Sequence, residues 1–568
     1  MHQVYKPQFV VIIYACLVFT AAAQTPPSPI FFKTQNSDEW VRKTFHIQRK
    51  YRRVLLVGAA AGHTKNVRVN ALDLNTRNVK GPRVGVLYPI YEIYKSLQEA
   101  ADAARGGDLI AVMPGTYAGF VMGDKPHAAD GRYIHFKALG KPGDCIINRP
   151  SSRDPDWMIL LQAAHHVIVE GFNIAGATGP GMKPVGPRAG IMLDGDFGRS
   201  GKQTHHIVIL ANFSHNHLKW GLHSTDTHTV LIQDNLFGLS ALEHSAYVSD
   251  GSDNYVIRRN VFFGSLASGL QCNLDSVSSF HELLKNPELS GYPKEEPTRA
   301  WALGLVKLAT EKFGANNFPD GRGINFIIED NVVNENGKGG AGSFNLAGLQ
   351  ESLIQNNLVY GNFNHGIAQW DDANPYDASY VEPGPQSPRE IKGPADLPLW
   401  GCHSNIIRNN TVLMGNKGRA AMQSRNGSWG TVMHNNIFIN DQPFSIEIFN
   451  TSIFRLDGRF NVINTLSYTE MAEALKSLAV ALPEGSSMRS DVTREKIAGE
   501  FARYGGEPWV ITEGNWWRLN PNRPDFHPRA DSKLLAHRGD AVEMPATDLE
   551  GNVRHGPSIG ALEPAARR

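Results

Sequence analysis

A chain of 568 residues, 41% of them hydrophobic, can bury a large core without covalent help. Its formal net charge of +1 gives no electrostatic reason to wrap a nucleic-acid backbone or coat a membrane surface. Only four cysteines are present, and Cys16 lies in an apolar leader, so a disulfide framework is excluded; Cys145, Cys272 and Cys402 read as small buried thiols, with a single bridge among them left open.

Lys6 precedes the apolar run "FVVIIYACLVFTAAA", which ends in Ala21, Ala22 and Ala23. The run is too short for a membrane span and ends in the small residues that signal peptidase reads, so residues 1–23 are expected to be a signal peptide. The mature chain is then expected outside the cell or in a periplasm, with no membrane span. Residues 24–90 carry "RKYRR", "VLLVGAA" and "VRVNALDL", expected as an N-terminal extension whose strands cap one open end of the main domain. "SLQEAADAARGGDLIAVMPGTYAGFV" (96–121) predicts an amphipathic helix, a Gly-Gly-Asp turn and a strand.

From there one motif recurs: "LANFSH", "IQDNLFG", "IRRNVFFG", "IEDNVVNENG", "IQNNLVYGN", "IRNNTVLMGN", "MHNNIFIND". Its asparagines are Asn212, Asn235, Asn260, Asn331, Asn357, Asn410 and Asn436, with uninterrupted steps of 23, 25, 26 and 26 residues. Each unit holds two or three short β-branched runs between Gly/Asn/Asp turns and no helix. Such a unit cannot bury its apolar face alone, so units must stack as a solenoid. The asparagines are expected at turns, hydrogen-bonding from coil to coil. With its helix-led entry, its repeats and the closing "TDLEGNVRHGPSIGALE", the chain resembles the right-handed parallel β-helix proteins of the pectate-lyase-like superfamily. The resemblance implies an all-β solenoid over 91–465. It assigns no chemistry, because that superfamily holds lyases, hydrolases, epimerases and adhesins.

Insertions interrupt the solenoid at 275–321 and 371–401. The first predicts a helix near 299–313, with Thr298 as N-cap. "TEMAEALKSLAVAL" (469–482) and "TREKIAGEFARYG" (493–505) predict two helices within a 466–510 insertion, and 511–568 is expected to close the C-terminal end.

Alternation sorts the faces of "WGLHST", "HSAYVS" and "SGLQCN". Leu222, Ala246 and Leu270, then Ser224, Val248 and Cys272, point inward; His223, Tyr247 and Gln271 form an outward row at 24-residue steps, followed by Thr225, Ser249 and Asn273. Upstream, Met192 and Asp194 extend it; downstream, Asn345, Trp370 and Asp371 do. Such a strip suits sugars, because amides and carboxylates meet hydroxyls while aromatic faces stack on C–H faces. Both insertions leave from this side and are expected to wall it. His223 and Tyr247 are the expected acid–base pair, with Asp250 or Glu243 orienting an imidazole and His244 as the other candidate. Asp194, Lys219, Gln271, Asn273, Asn345, Trp370 and Asp371 are expected to hold substrate, Lys219 by neutralising a carboxylate. The histidines between 205 and 244 match no tight zinc spacing, so no metal ligand is assigned; calcium is admitted but not firmly implied.

These residues predict an exported carbohydrate-active enzyme acting on a polysaccharide, first by β-elimination on an acidic glycan. Two alternatives stay open: a hydrolase using paired carboxylates from Asp194, Asp196, Asp250, Asp371 and Asp372, and a glycan-binding β-helix without turnover. Neither nucleic acid nor membrane is an expected partner, and the chain is expected to be a monomer. The Asn-x-Asp, Gly-His-Gly and Arg-x-Lys motifs of pectin hydrolases are not reproduced in order. No catalytic residue is therefore carried over from a known motif.

Overall fold

A computed structural model of the chain describes residues 37–564 except 49, 59–64, 71, 73, 75–84, 126–130, 178–185, 286–297, 313–319, 371–396, 416–417, 426, 441–444, 450–455, 465, 470–491, 514–515 and 542–543. The expected signal peptide, the 469–482 helix, Asp371 and Asp372 lie outside the described residues, apart from Thr469 at a strand end.

Three long parallel sheets run the length of the solenoid, of thirteen, eleven and eleven strands. We call them sheets I, II and III. Each coil gives one strand to each sheet: Trp220–Thr225 lies in sheet II, His228–Gln233 in sheet I and Leu236–Gly238 in sheet III. The next coil repeats the pattern in register, with His223 against Tyr247, Leu231 against Val256 and Phe237 against Phe262. Inward side chains of the three sheets make one continuous apolar core, and within it rings stack from coil to coil, Tyr255 on Phe326 at 4.8 Å. Cys145, Cys272 and Cys402 are buried there as thiols, as expected.

The corner between sheets I and III explains the asparagine repeat. Each repeat asparagine follows a residue with φ between 52° and 57°: Ala211, Asp234, Arg259, Asp330, Asn356, Asn409 and Asn435. That left-handed conformation turns the chain sharply but costs about 1–2 kcal/mol for a residue with a Cβ. The following asparagine offsets the cost. Asn235 donates its backbone N–H and its Nδ2 to Asn260 Oδ1, both at 3.0 Å, and its Nδ2 also reaches Ile209 O at 2.8 Å. The same bonds run without a break from Asn212 to Asn436, and the ladder continues one coil further to Asn461, which the repeat pattern did not include.

Two outer faces are covered. On sheet I, the helix Asp38–Thr44 and its flanks pack Val41, Phe45 and Leu74 against Ile168, Val208, Leu231 and Val256. The fully buried Arg258 ties this strap down, donating to Ser37 Oγ at 2.7 Å, Asp38 Oδ1 at 2.6 Å and Leu74 O at 2.9 Å. On sheet III, residues between Val492 and Leu562 cover the apolar row Phe213, Leu236, Val261, Val332, Leu358 and Ile437. The last segment lies along this corner, its Thr547, Ser558 and Asp540 carbonyls accepting from Asn356, Asn409 and Asn435 on successive coils.

Some expectations need revision. The N-terminal extension does supply strands, but Val54–Val57 belongs to sheet I itself, pairing with Leu109–Val112, while 66–70 and 85–89 form a separate antiparallel hairpin. The helix expected over 493–505 ends at Ala498: Gly499 caps it, and Phe501 turns into the apolar cluster on a short strand paired with Asp525–Pro528. The helix Arg299–Lys312 forms as expected, and Thr298 Oγ1 accepts from Trp301 N at 3.2 Å. Among the described residues no helix is long and apolar enough to cross a membrane.

Replacing Asn331 by Ala strips Asn260 of its acceptor and orphans buried groups on both neighbouring coils. Each orphan costs about 1–3 kcal/mol. Urea unfolding of Asn331→Ala should therefore show a loss of at least about 3 kcal/mol, whereas an Ala substitution at the exposed Lys141 should change stability by less than about 0.5 kcal/mol.

Candidate functional site

Sheet II keeps a polar outward row. Its register reads Met192, His223, Tyr247, Gln271, Asn345, Ala368, Gln423 and Glu447 on successive strands. Beside it runs a second row, Gln162, Asp194, Thr225, Ser249, Asn273, Ala347 and Trp370. Leu222, Ser224, Ala246, Val248, Leu270 and Cys272 point inward and are buried. The expected faces are thus the observed ones.

Parallel pairing brings the rings of His223 and Tyr247 into a stack, centroids 4.8 Å apart and planes 8° apart. Trp220 tilts over His223 at 4.4 Å, and Trp157 stacks on Trp220 at 6.3 Å. His244 lies outside the strand, in the turn before it. There its Nδ1 accepts from Ser268 N at 3.1 Å, and its ring faces Tyr247 at 5.4 Å. Asp250 sits in the turn after the strand. Its carboxylate accepts from Thr225 Oγ1 and, at 3.1 Å, from Ser249 Oγ, and that hydroxyl lies 3.3 Å from His223 Nε2. With the Ser249 proton directed at Asp250, His223 Nε2 is the donor to Ser249, which leaves the Nδ1 lone pair buried without a hydrogen-bond partner.

Substrate-facing candidates are partly brought together. Gln271 Oε1 accepts from Asn345 Nδ2 at 2.6 Å and from Ser268 Oγ at 3.2 Å, and Asn345 Oδ1 accepts from the Trp370 indole at 2.9 Å. Asn273 Oδ1 is buried and has no hydrogen-bond partner. Trp370 is displaced from its expected place. Ile367 and Gln369 are the inward residues of that strand, so Ala368 takes the row position and Trp370 falls beside Ala347. Asp194 accepts from Gln162 Nε2 at 2.6 Å and pairs with Arg199 at 3.3 Å. Lys219 is paired with Glu243 at 2.6 Å, so Glu243 is engaged there rather than orienting an imidazole.

Several residues here carried no sequence signal. Arg188 lies over the faces of Trp157 and Trp220, at 5.4 and 5.5 Å, and among the described residues it has no carboxylate within ion-pair distance. Further along the row, Gln423 donates to Glu447 at 2.7 Å, and His365 stands 4.0 Å from the same carboxylate. Only a register across the 371–401 insertion brings His365 and Glu447 together. Calcium has no acidic cluster: among the described residues, the one set of three converging ligand groups is histidine alone and lies at another corner.

Burial, reinforced by the charge of Arg188, holds His223 down at about 3. His244 is lowered to about 4, again chiefly by burial. Both rings are neutral near pH 7; the lone pair of His223 has no hydrogen-bond donor, whereas that of His244 is taken by Ser268 N.

The fold is a right-handed parallel β-helix. No protein-family model and no curated protein matches the sequence. Among solved structures, the pectate lyase Pel9A is similar at 12% identity and a TM-score of 0.43, over 91% of this chain and 97% of that one. The periplasmic alginate epimerase AlgG is similar at 10% identity and a TM-score of 0.31, over 64% and 76%. The surface adhesin PfbA of Streptococcus pneumoniae is similar at 10% identity and a TM-score of 0.37, over 64% and 78%. These likenesses are likenesses of fold.

Unfolding returns His223 to its ordinary value of 6.5 from about 3, so the unfolded chain takes up a proton anywhere between. The ring's neutral burial is thus tolerated fully above pH 6.5 and opposes folding increasingly as pH falls towards 3. Urea midpoints of His223→Gln should therefore fall less steeply with acidification over that range than those of the parent chain.

Proposed function

We propose that the chain is an exported enzyme that cleaves an acidic polysaccharide by β-elimination on sheet II, at the row centred on His223 and Tyr247. The observation that carries this reading is the stack of a neutral imidazole on a phenol, flanked by a second neutral imidazole and by a guanidinium without a carboxylate partner among the described residues. A uronate unit laid along the row brings its carboxylate to Arg188, with Lys219 alongside, where charge developing next to the carboxyl carbon is stabilised. The neutral His223 imidazole takes the proton from the carbon alpha to the carboxyl group, the lone pair of His244 being already engaged by Ser268 N–H. The Tyr247 phenol gives its proton to the departing glycosidic oxygen as the carbon–oxygen bond breaks and the double bond forms. One group gains the proton that the other loses, and exchange with water restores both. Gln271 and Asn345, which already hydrogen-bond each other, present amides to neighbouring hydroxyls. Ser249 and Asp250 are positioning residues for His223.

Hydrolysis by paired carboxylates is less well supported. Asp194 and Asp250 are engaged by neighbouring donors, and Glu447 lies seven strands from Asp194, roughly 30 Å at the usual strand spacing. Working pairs in glycosidases sit about 5–9.5 Å apart.

Purified protein offered a panel of uronate polymers should generate the ultraviolet absorbance of an unsaturated uronate product. Tyr247→Phe should lower kcat by about 10²–10⁴-fold, and Asp194→Asn by far less. New reducing ends without that absorbance would make the chain a hydrolase. Saturable binding without turnover, unchanged in Tyr247→Phe, would make it a binder.

A further inference from the structure

At the corner where sheet II hands over to sheet I, three successive coils begin their sheet I strands with His165-His166, His205-His206 and His228-Thr229. Pairing sets His165 against His205 and His205 against His228. The second residue of each doublet is left-handed, with φ of 53°, 53° and 58°, which swings its side chain away from that of the first. Two columns of rings result. His165, His205 and His228 stack at 5.0 and 4.9 Å; His166 and His206 stack at 4.6 Å, and rings within a doublet stand at 84° and 80°.

Turning the columns against each other makes nitrogens converge. Nδ1 of His205 lies 2.8 Å from Nδ1 of His206, and the His165–His166 pair repeats the contact at 2.9 Å. Two Nδ1 atoms at that distance cannot both carry a proton, so each doublet presents at least one lone pair inward. His166, His205 and His206 each offer a ligand nitrogen, all within 4.8 Å of one another and all half-buried. Zinc-bound imidazole nitrogens lie about 2.0–2.1 Å from the metal, which puts two of them about 3.4 Å apart in a tetrahedral site. Modest ring rotations close the difference.

We propose that His166, His205 and His206 form a binding site for a borderline divalent transition-metal ion of the zinc and nickel class, which staples two adjacent coils together. Imidazole donors suit such ions and not calcium or magnesium. The site is invisible as a spacing motif because its ligands come from two coils, 40 residues apart in sequence between His166 and His206. It needs no contribution from the outward row of sheet II, so it stands or falls independently of the proposed cleavage chemistry.

Calorimetric titration of zinc chloride into the chelator-treated full chain, purified without a histidine tag, should show one equivalent bound and a raised melting temperature. His205→Gln/His206→Gln should weaken that binding at least tenfold, while His555→Gln, at an exposed position, should leave it unchanged. Should the double variant fail to fold, cobalt(II) loaded on the parent chain decides the matter. Intense visible d–d bands of a tetrahedral nitrogen-ligated ion support the site; the weak spectrum of hydrated cobalt overturns it. Absence of zinc binding, or binding unaltered in a folded double variant, would reduce the columns to a neutral aromatic stack.

Discussion

Coil-to-coil registry, held at the asparagine corner, is the constraint on which the remaining structure rests. Each interior asparagine of the ladder accepts two bonds from the asparagine before it and donates two to the asparagine after it. A coil therefore cannot slide along its neighbour without breaking several buried bonds at once. This matters because strand side chains alternate with a period of two, so a slip of one residue would drive His223 and Tyr247 into the core and expose Leu222 and Ala246. The same corner demands a left-handed residue before every asparagine, and the sequence mostly answers with Asp and Asn, which tolerate that conformation. A turn geometry on one side of the solenoid thus determines which chemistry is presented on another.

The covering of the other two sheets gives the outward row of sheet II its significance. Sheet I carries Ile168, Val208, Leu231 and Val256 outward, and sheet III carries Phe213, Leu236 and Val261; these apolar rows need a lid, and the chain's two ends supply one each. Sheet II instead directs an imidazole, a phenol, amides and a carboxylate outward. Polar rows do not drive burial by an apolar strap, and groups of this row hydrogen-bond one another instead.

Legibility in the sequence follows the same division. Wherever coils succeed one another without interruption, counting in steps of 24 residues places His223, Tyr247 and Gln271 correctly, because parallel pairing converts sequence step directly into contact. Across the insertions the count fails. Asn345 falls rightly from the motif around it, whereas Trp370 comes out two residues off, since nothing in "HGIAQW" says which of two outward residues continues the row. Contacts between remote parts of the chain leave no trace at all: Arg258 with Asp38 and Arg188 over Trp220 depend on where straps and turns come to rest. Asn461 escapes the repeat pattern for a local reason. Its left-handed predecessor is Phe460, not the Asn, Asp or Arg of most other corners.

Electrostatics gives the outward row its direction. Lys219 has its counter-charge in Glu243, but Arg188 has none among the described residues, and the two cations together help to keep His223 unprotonated. An anionic ligand beside Arg188 would act in two ways at once. It would pair the guanidinium and, by supplying negative charge near the buried ring, raise the affinity of His223 for a proton. In the proposed reaction a uronate carboxylate would thus strengthen the base, and a neutral sugar would not. If the proposed reaction holds, the same arrangement that makes His223 a weak base before a ligand arrives would favour an acidic glycan through charge.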